Sequence, residues 1–258
     1  MISVNFSHWI RENHLRFRSL TDAVQLIIKS LLKDRGISYL TVEGRTKSED
    51  DCIKKVKRKN YRNPVEELTD ISGIRIVVYF DYDVQIVRKL IEENFNIDKE
   101  NSSNREEMLP VNEVGYRSVH YVCDLGEDRT KLQEHKRLKG LKFEFQVRTV
   151  LQHAWAELAH DRNYKFSGQL PKPIERKLFL LAGLMETADN GFSDLSKELD
   201  KYISLVSEET SAKNFPTELN SITLETFVKQ WANSQSIEVD ERIDHDDYKD
   251  LIRELNEY

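Results

Sequence analysis

One segment constrains the fold more than any other: residues 143–148 read FEFQVR, an alternation of apolar and polar side chains that leads directly into a helical stretch. Because successive side chains of a β-strand point to opposite faces, both phenylalanines share a face with Val147. The other face carries Glu144, Gln146 and Arg148. We predict that the apolar face packs in a core and that the polar face borders a cleft, with a solvated edge strand as the plainer alternative.

The helix predicted over residues 150–164 continues this division. Its apolar residues form a broad stripe, and its polar residues recur every three or four positions along a second face. We expect the second face to border the same cleft. The apolar set is Val150, Leu151, Ala154, Trp155, Leu158 and Ala159, and the polar set is His153, Glu157, His160 and Tyr164.

Composition limits the class of protein. With 258 residues, of which 39% are hydrophobic and 33% charged, the chain is long enough for one good core and a smaller appendage. No apolar run approaches the roughly 18 residues of a membrane span, and the N-terminus lacks a secretory signal pattern, so we expect a soluble cytoplasmic protein with no membrane partner. Cys52 and Cys123 form no Cys-x-x-Cys pair and support neither a disulfide framework nor a structural zinc site.

Positive charge is concentrated in one segment, although the formal net charge is -6. The chain after Lys197 is rich in Glu and Asp, whereas residues 45–62 hold a dense basic cluster. An acidic chain disfavours indiscriminate nucleic-acid binding, so the cluster favours a confined, phosphate-rich ligand; a solvated basic helix face is the alternative. The cluster consists of Arg45, Lys47, Lys54, Lys55, Lys57, Arg58, Lys59 and Arg62.

The order of the elements predicts an α+β fold, in which a mixed β-sheet flanked by helices is followed by a helical C-terminal tail. Strands are predicted near residues 37–45, 74–80, 119–125 and 142–148, and helices near 6–32, 50–59, 83–94, 173–209, 224–231 and 248–258. We divide the chain into an N-terminal helical segment (1–38), a core (39–170), C-terminal helices that pack on the core (171–213) and a small helical extension (214–258).

A second set of polar residues opens the apolar strand near 74–80. Asp70 lies in a turn before that strand, Gly73 allows close backbone approach, and Arg75 is the one charge inside the run. A buried guanidinium is costly unless an anion or an aromatic surface meets it, so Arg75 is a candidate ligand-binding residue, with snorkelling to water as the alternative. Asp70 and Glu144 beside the basic cluster fit Mg²⁺ held against a polyphosphate, which predicts phosphoryl-group chemistry.

Together these segments resemble the synthetase domain of the RelA/SpoT-type alarmone synthetases, over about residues 39–168. The likeness implies a nucleotidyltransferase-like mixed sheet, with residues 39–170 as the synthetase core, and transfer of pyrophosphate from ATP to the 3′-hydroxyl of GDP or GTP to make (p)ppGpp. It is carried by Gly44-Arg45-Thr46-Lys47, Thr69-Asp70-Ile71-Ser72-Gly73-Ile74-Arg75, Gly115-Tyr116-Arg117-Ser118-Val119-His120, Glu144-Phe145-Gln146-Val147-Arg148-Thr149 and the helix from His153 to Lys165.

The resemblance also implies roles on the ATP side of the site. Arg45 and Arg75 would sandwich the adenine, and Asp70 and Glu144 would bind Mg²⁺. Glu144 is the leading candidate to accept the proton of the attacking hydroxyl. The ATP phosphates would be held by Lys47, Lys55 and Arg58.

The acceptor side departs from the family pattern. Many relatives carry a lysine in a Pro-Lys-x-Asn-Gly-Tyr run that helps to hold the acceptor's 5′-phosphates, but residues 110–116 here have none, and Arg105 is the candidate to compensate. Asp51 stands where a serine is common. Some toxic members of the wider family modify the 3′ end of tRNA, so the acceptor stays open between a guanine nucleotide, another purine nucleotide and tRNA. The residues implied on this side are Tyr116, Arg105, His120, Gln146 and His153.

Other activities are less well supported. Bifunctional relatives carry a helical, metal-dependent hydrolase domain before the synthetase, and the chain before the first predicted strand is too short for it. His153 and His160 lack the His-Glu-x-x-His arrangement of a zinc site. A decayed nucleotide-sensing or protein-binding module would need neither metal carboxylates nor an adenine clamp. Apolar residues of the tail suit packing within the chain, self-association into a homo-oligomer, or a regulatory or antitoxin protein.

Overall fold

The computed structural model describes residues 2–104, 119–165, 171–212, 219–238 and 245–256. Within these ranges the chain forms a mixed β-sheet flanked by helices, with further helices toward the C-terminus. The predicted α+β class is therefore confirmed.

Six strands form one sheet. They are β1 (Tyr39–Thr46), β2 (Ser72–Val78), β3 (Asn96–Ile97), β4 (Ser103–Asn104), β5 (Val119–Asp124) and β6 (Phe143–Thr149). The order across the sheet is β1-β2-β6-β5-β3, and β4 pairs with β5. β2 and β6 run parallel, whereas β1 with β2, β5 with β6, and β3 and β4 with β5 are antiparallel pairs.

The helices of the described ranges have the following bounds: α1 (Ile2–Asp34), α2 (Glu49–Lys59), α3 (Pro64–Glu67), α4 (Asp81–Asn94), α5 (Gly126–Thr130), α6 (Val150–Lys165), α7 (Lys172–Ser211), α8 (Ser221–Ser234) and α9 (His245–Asn256). A 3₁₀ turn covers Lys136–Leu138. Gly36 follows α1 with φ of +66°, the left-handed conformation in which glycine commonly ends a helix.

One face of the sheet is the core, as the alternation in β6 predicts. Phe143, Phe145 and Val147 are all 0% exposed, and the two phenylalanine rings pack against Phe95 with centroid distances of 5.6 and 5.1 Å. Burying one such aromatic side chain contributes about 1.5–3 kcal/mol. The core face therefore fixes the direction of the opposite, polar face.

α1 packs on β1 at a point where only glycine fits. A Cβ atom added to Gly44 would lie 2.7 Å from Cγ2 of Thr21 and 2.8 Å from Oε1 of Gln25, both on α1. The hydroxyl of Thr21 also lies 2.8 Å from the hydroxyls of Thr46 and Ser72. These hydroxyl contacts join the helix to the last residue of β1 and the first residue of β2 on the core face of the sheet.

The turn from β6 into α6 is a capping box, a reciprocal pair of hydrogen bonds at a helix N-terminus. The backbone N–H of Gln152 donates to Oγ1 of Thr149 at 3.1 Å, and the N–H of Thr149 donates to Oε1 of Gln152 at 3.1 Å. The Thr149 hydroxyl in turn donates to the buried Asp189 of α7 at 2.7 Å. Thr149 therefore fixes the start of α6 and links it to α7.

The described part of α6 differs from the prediction of an apolar stripe packed in the core. Its side chains from Val150 to Ala156 are only partly buried, and Leu158 is 62% exposed. The reason is that α6 contacts the sheet through β6 and β2 while running beside their polar face, since Glu157 reaches Arg75.

The chain divides into two compact units, Met1–Gly191 and Phe192–Tyr258. The division at residues 38, 170 and 213 that the sequence suggests stays a prediction. None of the described helices is long and apolar enough to cross a membrane.

Cys52 and Cys123 are buried free thiols. Burial raises the pKa of Cys52 to about 11 and raises that of Cys123 as well.

Candidate active site

A cleft of about 290 Å³ lies on the polar face of the sheet, where β1, β2 and β6 lie side by side. The strand register explains its composition. Gly73 of β2 is paired with Arg45 on one side and Glu144 on the other, and Arg75 is paired with Glu43 and Gln146. The lining residues are Glu43, Arg45, Lys47, Asp70, Gly73, Ile74, Arg75, Glu144, Gln146 and Glu157.

Asp70 is held by two lysines of the basic cluster. The ammonium groups of Lys47 and Lys55 each lie 2.5 Å from Oδ2 of Asp70, and all three side chains are 20–23% exposed. Burial disfavours the charged carboxylate, but the hydrogen bonds and charges of the two lysines outweigh burial and lower the pKa of Asp70. Its other oxygen, Oδ1, is buried and has no hydrogen-bond partner in the described part of the chain.

Glu144 is held from two sides. Nδ1 of His120, on β5, lies 3.0 Å from Oε1 of Glu144, and Nε2 of Gln146 donates to the same oxygen at 2.7 Å. Burial and the negative charge of Asp70 oppose ionisation of Glu144, but the hydrogen bonds from His120 and Gln146 and the His120 charge lower its pKa. Asp70 and Glu144 are therefore both ionised at neutral pH.

These two carboxylates fit a hard divalent cation. Ionised oxygen donors are the ligands that Mg²⁺ prefers, and Oδ1 of Asp70 is a buried acceptor without a partner among the described residues. The described ranges contain no group of three or more His, Cys, Asp or Glu placed to hold a metal. A cation here would therefore take its remaining ligands from substrate phosphates and water, as Mg²⁺ commonly does.

Arg45 and Arg75 lie on the same face of neighbouring strands. Arg45 is paired with Gly73, so Arg75 is its diagonal neighbour, and the backbones of such neighbours are about 7–8 Å apart. This separation is about twice the 3.5–4.0 Å contact distance between carbon atoms, so two side chains that rise side by side from these positions leave a slot for one flat ring. Gly73 between them contributes no side chain that would fill the slot.

The two arginines are held differently. Nη1 of Arg75 donates to Oε1 of Glu157 at 3.0 Å, and the Arg75 side chain is 31% exposed. The Arg45 side chain is 79% exposed and approaches only 4.0 Å from Asp51. Arg75 is therefore the tethered side of the slot, and Arg45 is the freer side.

Asp51 has a structural role at the start of α2. Its backbone N–H donates to the Ser48 hydroxyl at 3.1 Å, and that hydroxyl donates to Oδ2 of Asp51 at 2.8 Å. The carboxylate that replaces the more common serine therefore takes part in the helix cap.

The remaining predicted site residues lie in different places. Arg58 is exposed on α2, one turn beyond Lys55, and does not line the cleft. Nδ1 of His153 lies 3.8 Å from Glu157, and burial together with the positive charge of Arg75 lowers the pKa of His153. The structure thus brings His153 to the Arg75 side of the cleft. Tyr116 and Arg105 lie outside the described residues.

Two acidic residues of the cleft were absent from the predicted site. Glu43 lies two residues before Arg45, so the period of the strand places it on the same face. Glu157 was assigned to the polar face of the helix, but its partner Arg75 is 82 positions away. The two-residue period of the strand was enough to predict Glu43 in the cleft. The contact of Glu157 with Arg75 could not be predicted in this way, because it depends on where α6 lies relative to the sheet.

Comparisons with known proteins agree with this geometry. Residues 44–169 match the family described as a region found in RelA / SpoT proteins. The chain is 29% identical over 163 residues to the GTP pyrophosphokinase YjbM of Bacillus subtilis (strain 168), an alignment that covers 62% of this chain and 73% of that protein.

Solved structures of small alarmone synthetase 1 from Bacillus subtilis are also similar. The complex with its product pppGpp has a TM-score of 0.60 and 26% identity, covering 74% of this chain and 97% of that one. The complex with AMPCPP has a TM-score of 0.58 and 25% identity, covering 75% and 98%. This chain therefore carries a RelA/SpoT-type region of the small-synthetase kind, and the predicted family is confirmed.

Proposed function

We propose that this protein is an ATP-dependent pyrophosphokinase that transfers the β,γ-pyrophosphate of ATP to the 3′-hydroxyl of GDP or GTP and so makes (p)ppGpp. The observation that carries the proposal is the position of two ionised carboxylates, Asp70 and Glu144, in one cleft with a pair of arginines and Lys47. The relatives named as GTP pyrophosphokinases and the pppGpp and AMPCPP complexes of a similar protein support the choice of nucleotides.

The donor nucleotide occupies the slot and the basic residues beside it. The adenine stacks between Arg45 and Arg75, which offers a cation–π contact on each face of the ring. Lys47 and Lys55 hold the phosphates, and Arg58 extends this charge along α2 toward solvent. Stacking and charge act on different parts of ATP, so together they fix its orientation.

Asp70 and Glu144 would hold Mg²⁺ in this cleft. When bound, the ion neutralises charge that develops on the phosphate oxygens. The residues of the chain do the remaining work: they place the donor, exclude wrong orientations and keep the carboxylates ionised. His120 and Gln146 both contact Oε1 of Glu144, so they fix the orientation of this carboxylate.

In the transfer step, one P–O bond forms and one breaks at the β-phosphorus of ATP. The 3′-oxygen of the acceptor forms a bond to the β-phosphorus of ATP, and the bond from that phosphorus to the bridging α,β-oxygen breaks, so AMP leaves. The hydroxyl proton goes to Glu144, which is 14% exposed and lines the same cleft as Lys47. A positioned base contributes about 10²- to 10⁴-fold to such a step.

The acceptor approaches from the β5 side of Glu144, opposite the adenine slot. We assign the acceptor base to Tyr116, by stacking, and the acceptor phosphates to Arg105. His120 and Gln146 adjoin Glu144 on that side. His153 was also predicted to bind the acceptor, but it lies beside Glu157 on the Arg75 side of the cleft, so it is not part of this set. The order across the sheet, donor on β1 and β2, carboxylate on β6 and His120 on β5, supports this separation of the two substrates.

One assay tests the proposal and its alternatives. Purified protein is incubated with Mg²⁺, ATP labelled at the γ-phosphate and, separately, GDP, GTP, unlabelled ATP or deacylated tRNA. We expect label on GDP and GTP. Label on tRNA alone would assign the protein to the toxic branch, and no label on any acceptor, with nucleotide still bound, would leave a nucleotide-sensing module.

We also propose that the protein works in the cytoplasm, where its substrates are.

Phe227, Trp231 and Leu251 of α8 and α9 are 37%, 51% and 42% exposed, which supports a surface for self-association or for a regulatory or antitoxin protein. Light scattering of the purified chain tests the first of these.

A further inference from the structure

The carboxylate that a metal would use is already paired with two cations. Two ammonium groups share Oδ2, each at 2.5 Å, so the cluster of Lys47, Asp70 and Lys55 carries one net positive charge. We propose that Lys47 and Lys55 determine substrate order and class: they occupy Asp70 until a polyphosphate takes them, so the protein binds its metal strongly only together with a triphosphate. This inference rests on the proposed function for the identity of the polyphosphate.

The two lysines oppose metal binding electrostatically. A divalent cation that approaches Asp70 meets two positive charges on the same carboxylate, and like charges this close repel strongly in a half-buried site. The metal therefore competes with the lysines for Asp70. A polyphosphate removes this competition, because it offers the ammonium groups several anionic oxygens in exchange for one carboxylate.

The local structure allows the side chains to move while the backbone stays in place. The N–H of Lys47 donates to the carbonyl of Ile71 at 2.8 Å, and the carbonyl of Lys47 lies 3.0 Å from Nε2 of His14. Lys55 lies inside α2, whose capped N-terminus begins after Ser48. Each lysine has a flexible four-carbon stem, so only the ammonium ends need to leave Asp70.

Oδ1 of Asp70 supplies an independent observation. It is buried and has no hydrogen-bond partner in the described ranges, although a buried acceptor ordinarily has one. Asp70 is thus satisfied on one oxygen by the lysines and unsatisfied on the other. When a metal and a triphosphate bind together, the metal occupies Oδ1 and the triphosphate draws the two ammonium groups away from Oδ2.

The cluster also sets the class of nucleotide. A nucleoside monophosphate has one phosphate to offer and fills only the adenine slot and its edge, so it leaves at least one lysine on Asp70. A triphosphate engages both. Loss of AMP and of the transferred pyrophosphate then returns the lysines to Asp70, which favours release of the metal at the end of each cycle.

The test uses Mn²⁺ alone as the probe, titrated into nucleotide-free protein and followed by electron paramagnetic resonance. Lys55→Met removes one competing cation and keeps Lys47 on Asp70, so the carboxylate is not left unpaired. We expect Mn²⁺ to bind this variant at least about fivefold more tightly than the wild type, the lower end of ordinary coupling between two sites. AMPCPP, an ATP analogue, is titrated into the same variant without added metal and should bind more weakly than to the wild type. The changes in Mn²⁺ affinity and AMPCPP affinity therefore have opposite signs.

Lys54→Met is the matched control, because Lys54 is exposed on the same helix and loses the same charge. It should leave both affinities within about twofold of the wild type, since a solvent-exposed charge is screened. Unchanged or weaker Mn²⁺ binding in Lys55→Met, or an equal gain in Lys54→Met, would overturn the proposal. Lys47→Met gives the same comparison if Lys55→Met does not fold.

The proposed role of the lysine–aspartate cluster and the proposed function can be refuted independently. Opposite shifts in Mn²⁺ and AMPCPP affinity in a protein that transfers no pyrophosphate would support the lysine–aspartate cluster and refute the proposed function. Pyrophosphate transfer in a protein whose Lys55→Met variant binds Mn²⁺ no better than the wild type would do the reverse.

Discussion

Replacing Glu157 by alanine is expected to weaken ATP binding and leave the acceptor untouched. In the structure Glu157 makes a 3.0 Å hydrogen bond to Nη1 of Arg75, which holds one side of the adenine slot. The Glu157 side chain is 58% exposed and that of Arg75 is 31% exposed, so the pair is worth only about 0.2–1 kcal/mol. That range corresponds to a dissociation constant raised about 1.4- to 5-fold.

Calorimetric titration of AMPCPP into the wild type, Glu157→Ala and Glu157→Gln measures this directly. The glutamine variant keeps an acceptor oxygen for Arg75 and should fall between the other two. Glu134→Ala, in an exposed loop, is the control and should match the wild type. Arg75→Ala removes the whole side of the slot and must cost more than Glu157→Ala. A larger loss in Glu157→Ala than in Arg75→Ala, or a change confined to the KM of the acceptor, would refute the tether.

Three further expectations follow from the same structure. The pKa values of Asp70 and Glu144 are lowered from their ordinary 3.8 and 4.5, so the stability that they contribute is present above those ordinary values and is lost as pH falls from there through the lowered values. Urea unfolding at pH 7 and pH 3 should show a smaller acid loss for Asp70→Asn than for the wild type. Thr149→Val removes a helix cap and the hydrogen bond to Asp189, so it should cost about 1–3 kcal/mol of unfolding free energy in the same assay, with Thr149→Ser close to the wild type. The Cys52 thiol, buried and with a pKa near 11, should resist alkylation at pH 8 until urea unfolds the protein.

The periodicity of apolar residues in the sequence was sufficient to predict much of the fold. The alternation in residues 143–148 predicted both faces of β6, and the apolar run after Asp70 predicted β2, because each strand is buried on one face by side chains two residues apart. The two-residue strands β3 and β4 were not predicted. They form because β5 offers a partner across the sheet, and so short a segment has no period of its own.

The site was predictable where strands carry it. Arg45, Arg75, Glu144 and Gln146 reached the cleft because strand direction determines their face. Contacts between distant elements were not predictable: the tether of Arg75 depends on the path of α6, and the paired lysines on Asp70 depend on where α2 lies beside β1 and β2. Local spacing contains no information about either. The roles assigned to Tyr116 and Arg105 stay predictions.

The central claim is that Glu144, held by His120 and Gln146 in the same cleft as Asp70, carries the chemistry of transfer. Its most direct test is the rate of pyrophosphate transfer to GDP and GTP by Glu144→Gln, measured with saturating ATP and Mg²⁺ beside the wild type. We predict a loss of about 10²- to 10⁴-fold in kcat with AMPCPP still bound. Turnover comparable to the wild type would contradict the assignment.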